Sequence, residues 1–436
     1  MAAFWDFRAG FLPYGIRTLR LFSLSPLCRG AFRVLLTLIV IDATMAAPLE
    51  WPRFRGPNGA GAGSVKLPEP LTAESFNWKV ELPGSGHSSP VVANGRIFVT
   101  CNPKDTAKRI LVAVDAADGK IAWQREYETG TFRIHSDNSY ASSSPAVDSE
   151  RVYVSWMSPE GSGLAAVSQK EGKELWRKDL GPVIAQHGPG ASPIVEAGKV
   201  LIEIDQDGPK SFLAAFDAET GAEQWRWEHA GGKASSSTPC LHLPPKGAPQ
   251  VLTISNTLGM SAVDLATGKL AWQLPELMPK RCVASPIITA GGLAIAQCGE
   301  GQAESFVKAV QVASDGKSAK EAYEVRRTGG YVPTPLAVSE FLFLWKENGL
   351  VTCLKAATNE QVWSERVQGP FYGSPVAADG RLFNVTRKGE LVTVAAGAKF
   401  AEFPRVDLGE GSHASPAISG GRMYLRTFAH LLSLGK

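Results

Sequence analysis

The feature that most limits the fold of this chain is a short proline motif that occurs eight times. Each copy is a Ser-Pro or Thr-Pro pair followed by apolar residues, as in "SSPVV" and "ASPII". Successive copies are 40 to 55 residues apart, a period typical of folds in which each repeat is one supersecondary unit. The repeated prolines are Pro90, Pro145, Pro193, Pro239, Pro286, Pro335, Pro375 and Pro416.

A second motif lies late in most units and ends in tryptophan. In "LVAVDAADGKIAW" and "LAAFDAETGAEQW" alternating apolar residues predict a strand, the Asp-to-Gly stretch predicts a turn, and the tryptophan falls on the next strand. Several equivalent tryptophans suit a packing contact that is repeated between units better than a single cofactor site. They are Trp123, Trp176, Trp225, Trp272 and, in a degenerate copy, Trp363.

Further strand pairs with tight turns lie between the two motifs, at Asn94-Gly95, Asp379-Gly380 and Gly420-Gly421. Each unit therefore predicts four short antiparallel strands, and no segment shows a convincing helical period. Four strands per repeat predict an all-β fold, an eight-bladed β-propeller of four-stranded antiparallel blades. The eighth unit ends without a tryptophan strand, whereas "FNWKVEL", with Trp78, precedes the first unit. We expect this N-terminal strand to complete blade eight and close the ring.

The N-terminal region predicts export. Five arginines precede the apolar run "VLLTLIVI", and small residues follow it before Pro48. This order is typical of a secretory signal peptide, and the apolar run is too short to cross a bilayer. A short membrane anchor or a buried strand is the alternative. Cys28 precedes the apolar run, so no lipid anchor is predicted. The expected organisation is a signal peptide over 1–46, a lead-in over 47–77 and a propeller over 78–436.

The net charge limits the partners that we expect, and the number of cysteines limits the possible disulfides. The net charge of +3 on 436 residues gives no reason to expect nucleic acid or an anionic membrane surface as a partner. Five cysteines follow the predicted signal peptide, so at least one has no partner within the chain. Cys282 and Cys298 flank a predicted hairpin. A disulfide between them is geometrically possible, and two buried thiols are equally compatible with the sequence.

The tryptophan motifs "AVDAADGKIAW", "AFDAETGAEQW" and "AVDLATGKLAW" resemble those of the PQQ-like (pyrroloquinoline-quinone-like) β-propeller family. The segment "WPRFRGPNGAG", residues 51–61, resembles a lead-in of many secreted bacterial members. The resemblance implies a structural docking role for the five repeated tryptophans and for Trp78. The family contains quinoprotein dehydrogenases and also non-catalytic scaffolds, such as the lipoprotein component of the outer-membrane barrel assembly machinery. The fold alone does not choose between these groups.

The dehydrogenase alternative implies PQQ with Ca²⁺ as cofactors. Such enzymes commonly carry two adjacent cysteines against the quinone, and no two cysteines are adjacent here. Oxygen ligands for Ca²⁺ are present in Asp137-Asn138 and Asp205-Gln206-Asp207, but ordinary loop chemistry explains these residues equally well. The chain is therefore predicted to be closer to the non-catalytic members, with no catalytic residue, metal or cofactor expected.

Two histidines stand at one equivalent position, three residues before the first and last repeated prolines. Ring closure should bring His87 and His413 together with Tyr372, which has the same position in blade seven; His187 lies in a similar connection. We expect these four residues at the channel rim, where they bind a small ligand or a transition metal, or form a polar rim that holds water. No nucleophile motif surrounds Ser88 and Ser89.

The sequence thus predicts an exported, non-catalytic scaffold of the periplasm or extracellular space. Its loops and channel are expected to bind an envelope or extracellular protein partner or a small ligand, without a membrane anchor. The alternative is a PQQ-dependent dehydrogenase with an atypical site.

Overall fold

The computed structural model describes residues 51–63, 66–188, 190–301 and 304–435. The described residues belong to one compact unit. The predicted signal peptide over 1–46 lies outside the described residues. Within the described ranges there is no helix with the length and apolar character needed to span a membrane.

Eight four-stranded antiparallel sheets make up this unit, so the predicted eight-bladed propeller is confirmed. A single strand, β1 (Phe76–Glu81), precedes the first complete blade. The next four blades contain β2 (Val91–Ala93), β3 (Arg96–Cys101), β4 (Arg109–Asp115), β5 (Ile121–Tyr127); β6 (Ala146–Val147), β7 (Arg151–Trp156), β8 (Ser162–Ser168), β9 (Glu174–Gly181); β10 (Ile194–Glu196), β11 (Lys199–Ile204), β12 (Lys210–Asp217), β13 (Glu223–Ala230); and β14 (Cys240–His242), β15 (Gln250–Ser255), β16 (Gly259–Asp264), β17 (Leu270–Leu274).

The other four blades follow in the same order. They contain β18 (Ile287–Ile288), β19 (Leu293–Glu300), β20 (Glu304–Val312), β21 (Ala319–Arg326); β22 (Leu336–Val338), β23 (Phe341–Trp345), β24 (Leu350–Lys355), β25 (Gln361–Arg366); β26 (Val376–Ala378), β27 (Arg381–Val385), β28 (Glu390–Ala395), β29 (Val406–Asp407); and β30 (Ala417–Ser419), β31 (Arg422–Arg426), β32 (His430–Gly435). Two short 3₁₀ turns, Pro57–Gly59 and Ala73–Ser75, precede β1.

The ring closes as the incomplete eighth repeat predicted. Strand β1 pairs antiparallel with β32, with Val80 opposite Leu431, and supplies the fourth strand of blade eight. The first and last parts of the described propeller are thereby joined in one sheet, which removes the open edges of an unclosed ring.

Burial explains the two kinds of strand pattern in each repeat. The middle strands are covered on both faces by neighbouring blades, so almost every residue of β3 and β4 is buried. The outermost strand has one face in solvent, and β5 and β1 therefore alternate between half-buried and exposed residues.

The predicted docking tryptophans lie at the interfaces between blades. Trp176 shows the arrangement: its indole Nε1–H donates to the carbonyl of Ala218 in the next blade at 3.1 Å. A Cβ on Gly221 would lie 2.7 Å from that indole, and the residue has φ +68°, so both the turn and the packing require glycine there. Four others donate to the next blade in the same way, namely Trp78 to Ala116, Trp123 to Gln169, Trp225 to Leu265 and Trp363 to Gly397. Trp272 instead donates to the Gln250 side chain of its own blade, at 3.2 Å.

The lead-in crosses the channel at the carboxyl ends of the innermost strands. Trp51 exchanges backbone hydrogen bonds with Val92 of blade one, at 3.1 and 2.9 Å. Asn58 bonds the backbone of Leu241 in blade four, and the N–H of Gly63 donates to blade seven at 2.9 Å. Residues 51–63 therefore close this end of the channel, and a cavity opens at the other end.

Candidate functional site

The cavity at the other end is a funnel of about 650 Å³ along the ring axis. Its floor includes Phe54 of the lead-in, and its upper wall includes the rim residues three positions before the repeated prolines. All four ligand-binding candidates of the sequence line it, namely His87, His187, Tyr372 and His413. Ligand binding by these four residues stays a prediction.

A closed ring of hydrogen bonds surrounds the funnel just above the floor. The residue before each repeated proline is Ser or Thr, and its hydroxyl accepts a hydrogen bond from the backbone N–H of the equivalent residue in the preceding blade. We call these eight residues the hydroxyl ring. The N–H to hydroxyl distances are 2.8 Å for Ser89 to Ser144, 2.9 Å for Ser144 to Ser192, 3.1 Å for Ser192 to Thr238, 3.0 Å for Thr238 to Ser285, 3.1 Å for Ser285 to Thr334, 2.9 Å for Thr334 to Ser374, 2.9 Å for Ser374 to Ser415 and 3.0 Å for Ser415 to Ser89.

Six of the eight residues of the hydroxyl ring line the funnel. Among the described residues, no protein atom accepts a hydrogen bond from the six ring hydroxyls that line the cavity. A hydroxyl carries one donor and two acceptor sites, and here one acceptor site is taken by the backbone. The remaining donor of each of these hydroxyls is available to a molecule in the funnel. The six residues are Ser89, Ser192, Thr238, Thr334, Ser374 and Ser415.

The structure brings Tyr372, His413 and His87 together on one arc of the rim. The ring centroids of Tyr372 and His413 are 4.7 Å apart, and those of His413 and His87 are 4.5 Å apart. Both nitrogens of His413 are occupied, because Arg387 Nε donates to its Nε2 at 3.0 Å and its Nδ1 lies 3.3 Å from the carbonyl of Asp137. His413 is thus not free to share a metal ion with His87.

Both histidines of this arc are neutral at physiological pH. Burial, with the positive charge of Arg387, lowers the pKa of His413 to about 4. Burial also holds the pKa of His87 well below its usual value, with further repulsion from His413 and Arg426. Burial therefore favours the neutral imidazole form of His87 and of His413.

His187 lies apart from this arc. It packs against His135, with ring centroids 5.3 Å apart, and burial lowers its pKa. His135 belongs to the long connection between β5 and β6, residues 128–145, which we call the mouth loop. The mouth loop reaches His187 through a hydrogen bond of 2.6 Å from the Asn138 side chain. On the opposite side, its Asp137 accepts from the Tyr372 hydroxyl at 2.9 Å and pairs with Arg387. The loop thus spans the funnel mouth from blade three to blades seven and eight.

The acidic side chains at the funnel are already engaged. Asp137 is held by Tyr372 and Arg387, which outweigh the effect of its partial burial and lower its pKa. Glu347 Oε1 accepts the backbone N–H groups of Tyr331 and Val332 at 2.7 and 2.6 Å. Glu300 pairs with Lys280 at 2.9 Å. Within the described ranges, His, Cys, Asp and Glu form no group of three or more that could hold a metal ion. The residues at the funnel therefore do not fit a Ca²⁺ site, which needs several converging oxygen ligands.

The second Ca²⁺ candidate predicted from the sequence, Asp205-Gln206-Asp207, does not line the funnel. Asp207 accepts the backbone N–H of Ala234 at 2.9 Å and that of Gln186. Asp205 is buried against Glu203, and burial raises its pKa to about 7. These carboxylates serve the local structure of blade three.

The two candidate disulfide cysteines lie next to each other as free, buried thiols. An antiparallel bridge joins Arg281 to Gly299, the positions that immediately flank them, and the Cys282 thiol donates to the carbonyl of Lys280 at 3.8 Å. Burial raises the pKa of Cys282 well above its usual value. The predicted hairpin is present as β18 and β19.

Sequence reasoning missed three buried arginines beside the funnel. Arg53 and Arg55 of the lead-in donate to the carbonyls of Pro239 and Pro375, one residue beyond the hydroxyl ring. Arg426 donates to Ser88 and to the carbonyl of Thr100. Arg53 and Arg55 could have been identified from the Arg-x-Arg pattern in "WPRFRGP". Two charged side chains in a compact lead-in need partners inside the protein.

Comparison with known proteins places this architecture in a family. The family model described as "Outer membrane protein assembly factor BamB" matches residues 74–155, 113–301 and 303–429. The chain belongs to this family of PQQ-like β-propellers.

The curated relatives that this chain matches are quinone-dependent alcohol dehydrogenases. The quinohemoprotein alcohol dehydrogenase ADH-IIG of Pseudomonas putida is 26% identical over 45% of this chain and 26% of its own length. The dehydrogenase subunit of a quinone alcohol dehydrogenase from Gluconobacter oxydans (strain 621H) is 27% identical over 39% of this chain and 22% of its own length. The match thus spans about a quarter of these curated relatives.

Solved structures agree on the fold. The quinohemoprotein alcohol dehydrogenase of Comamonas testosteroni superimposes with a TM-score of 0.65 at 16% identity, over 89% of this chain and 81% of that chain. BamB of Moraxella catarrhalis gives a TM-score of 0.58 at 12% identity, over 83% and 97%. At identities this low, the similarity shows a shared fold only. The activity depends on the residues of the funnel.

Proposed function

We propose that this chain is an exported, non-catalytic binding propeller of the cell envelope whose funnel takes a small ligand and whose loops face a protein partner. The observation that carries the proposal is the state of the funnel's acidic groups. Asp137, Glu347 and Glu300 each have an internal partner, so each carboxylate would have to give up that partner to bind Ca²⁺ or to act as a catalytic base. What the funnel offers instead is a set of hydrogen-bond donors and neutral rings.

The alternative is a PQQ-dependent dehydrogenase, which the curated quinoprotein relatives favour. The chain lacks adjacent cysteines, and its funnel does not fit a Ca²⁺ site. No reaction step through PQQ is derived from these residues.

A dye-linked turnover assay separates the two functions. The purified chain is incubated with PQQ and Ca²⁺, then supplied with primary alcohols or sugars and an electron-accepting dye, with a quinoprotein alcohol dehydrogenase as positive control. We expect no turnover above the protein-free reaction. Sustained reduction of the dye that depends on PQQ, Ca²⁺ and protein would establish the dehydrogenase instead.

Export and partner binding need a separate experiment. We expect the chain, expressed with its own N-terminus in a Gram-negative host, to lose residues 1–46 and to be released by osmotic shock. N-terminal sequencing of the released protein identifies the cleavage site, and crosslinking in the envelope before release identifies the partner. Retention of the intact N-terminus in the cytoplasm would contradict this part of the proposal.

A further inference from the structure

Three arginines that form hydrogen bonds next to the hydroxyl ring are almost completely buried. Arg55 is fully buried, and Arg53 and Arg426 are only 2% and 1% exposed. None of the three forms an ion pair with a described residue; their hydrogen-bond partners are carbonyls, a hydroxyl and a thiol. Burial lowers the pKa of Arg55 to about 9 and that of Arg53 to about 10, so both keep their charge at neutral pH.

These charges lie next to the hydroxyl ring. Arg53 and Arg55 donate to the carbonyls of Pro239 and Pro375, which directly follow ring residues Thr238 and Ser374. Arg426 donates to Ser88, which directly precedes ring residue Ser89. Glu196 offsets part of the charge of Arg53, and Glu410 part of that of Arg426, while Arg55 has no acidic neighbour that affects its pKa. Inside a protein, where the effective dielectric constant is low, such charges act over a longer distance than in water.

The funnel wall above the ring adds two cations. Lys233 and Arg281 line the cavity on the side of blades four and five. Arg281 donates to the carbonyl of Ala234 at 3.1 Å and lies 4.0 Å from Asp207. No described carboxylate forms an ion pair with Lys233, although its charge lowers the pKa of Glu300 after the larger effect of Lys280. An occupant of the funnel therefore meets Lys233 and Arg281 above the hydroxyl ring, with the buried arginines outside it. The three carboxylates of the funnel wall, Asp137, Glu300 and Glu347, are each engaged by a described partner.

We propose that the funnel floor is a binding site for an oxygen-rich anion, a carboxylate or phosphate ester, held by the hydroxyl ring and attracted by the buried arginines and Lys233. The proposal rests on the proposed function and names its ligand class. The hydroxyls donate to the anion's oxygens, since each ring hydroxyl that lines the funnel already accepts a backbone N–H and has its proton free. A neutral molecule of the same size would form the same hydrogen bonds with the ring hydroxyls. It would not be attracted by the charges of the arginines and Lys233, so it should bind more weakly.

Titration calorimetry with three probes tests the ligand class. Citrate represents carboxylates, glucose 6-phosphate represents phosphate esters, and glucose is the neutral counterpart of the second probe. We expect at least one anion to bind, with an affinity that falls at least tenfold between 20 and 300 mM NaCl, because exposed parts of the interaction are screened by salt. Glucose should bind at least tenfold more weakly than the better anion. Binding of neither anion, or equal binding of glucose, would overturn the proposal.

Variants locate the site. Lys233→Gln removes a charge that lines the funnel, and we expect it to weaken binding of the anion by about five- to tenfold. Lys170→Gln removes an exposed lysine in an outer turn of blade two and serves as the matched control, with unchanged affinity expected. Arg55→Met removes a buried charge and keeps a long side chain. Arg55 does not contact the ligand, but loss of its charge should still weaken binding. If this variant does not fold, Lys233→Gln decides alone. Equal affinities in Lys233→Gln and Lys170→Gln would contradict the site.

The outcomes also separate this inference from the proposed function. If glucose binds in the funnel and neither anion does, the ligand class is wrong while a non-catalytic binding propeller stands. If the dye-linked assay shows turnover, the proposed function fails whichever probe binds.

Discussion

Replacing one member of the hydroxyl ring tests whether the ring holds neighbouring blades together. Thr238 is 2% exposed, and its hydroxyl accepts the backbone N–H of Ser192 at 3.1 Å. Thr238→Val keeps the shape of the side chain and removes the acceptor. A buried donor left without a partner costs about 1–3 kcal/mol, so we expect Thr238→Val to lower the free energy of unfolding by about 2 kcal/mol.

The matched variant keeps the hydroxyl and loses a methyl group. Thr238→Ser should cost about 1 kcal/mol or less, the value of one buried methyl group. Urea unfolding followed by tryptophan fluorescence gives both free energies, and hydrogen exchange reports the Ser192 amide directly. We expect this amide to exchange faster in Thr238→Val than in Thr238→Ser. A valine variant as stable as the serine variant, with an equally protected amide, would refute the reasoning.

Three further perturbations have defined outcomes. Trp225→Ala removes an indole that is 8% exposed from a blade interface and should cost about 3–5 kcal/mol in thermal or urea unfolding; a loss below about 1 kcal/mol would argue against docking. The folded-state pKa of His413, about 4, lies below its usual value of 6.5, so the unfolded chain binds a proton first as the pH falls. Stability should therefore decrease between about pH 6.5 and pH 4, and the difference in melting temperature between pH 7 and pH 4.5 should be smaller in His413→Asn; an equal difference would exclude this histidine as the cause. Cys282 and Cys298 are buried, so neither thiol should react with DTNB in the folded protein and both should react in denaturant; reaction of either without denaturant would contradict their burial.

The fold could be predicted because its constraints are local and repeated. The turn sequences and the alternation in the outer strands recur in most units, and a repeat at this period with four strands allows few architectures. Even ring closure was visible, since the last unit lacks the strand that the segment around Trp78 supplies.

The site could be predicted only in part. Equivalent positions in adjacent blades meet across the ring, and this placed Tyr372, His413 and His87 on one arc. The contacts of Asp137 and Arg55 could not be inferred in this way, because the mouth loop and the lead-in occur once and cross the axis to distant blades. Which groups such segments meet depends on the path of the whole chain, and no periodic pattern encodes it.

We propose that this member of the PQQ-like β-propeller family binds ligands in its funnel without quinone chemistry. The most direct test is the quinone and Ca²⁺ content of the protein isolated from a host that makes PQQ, measured by absorption spectroscopy and elemental analysis. We predict well below one mole of either per mole of chain, before and after reconstitution. One mole of each, retained through gel filtration, would contradict the account.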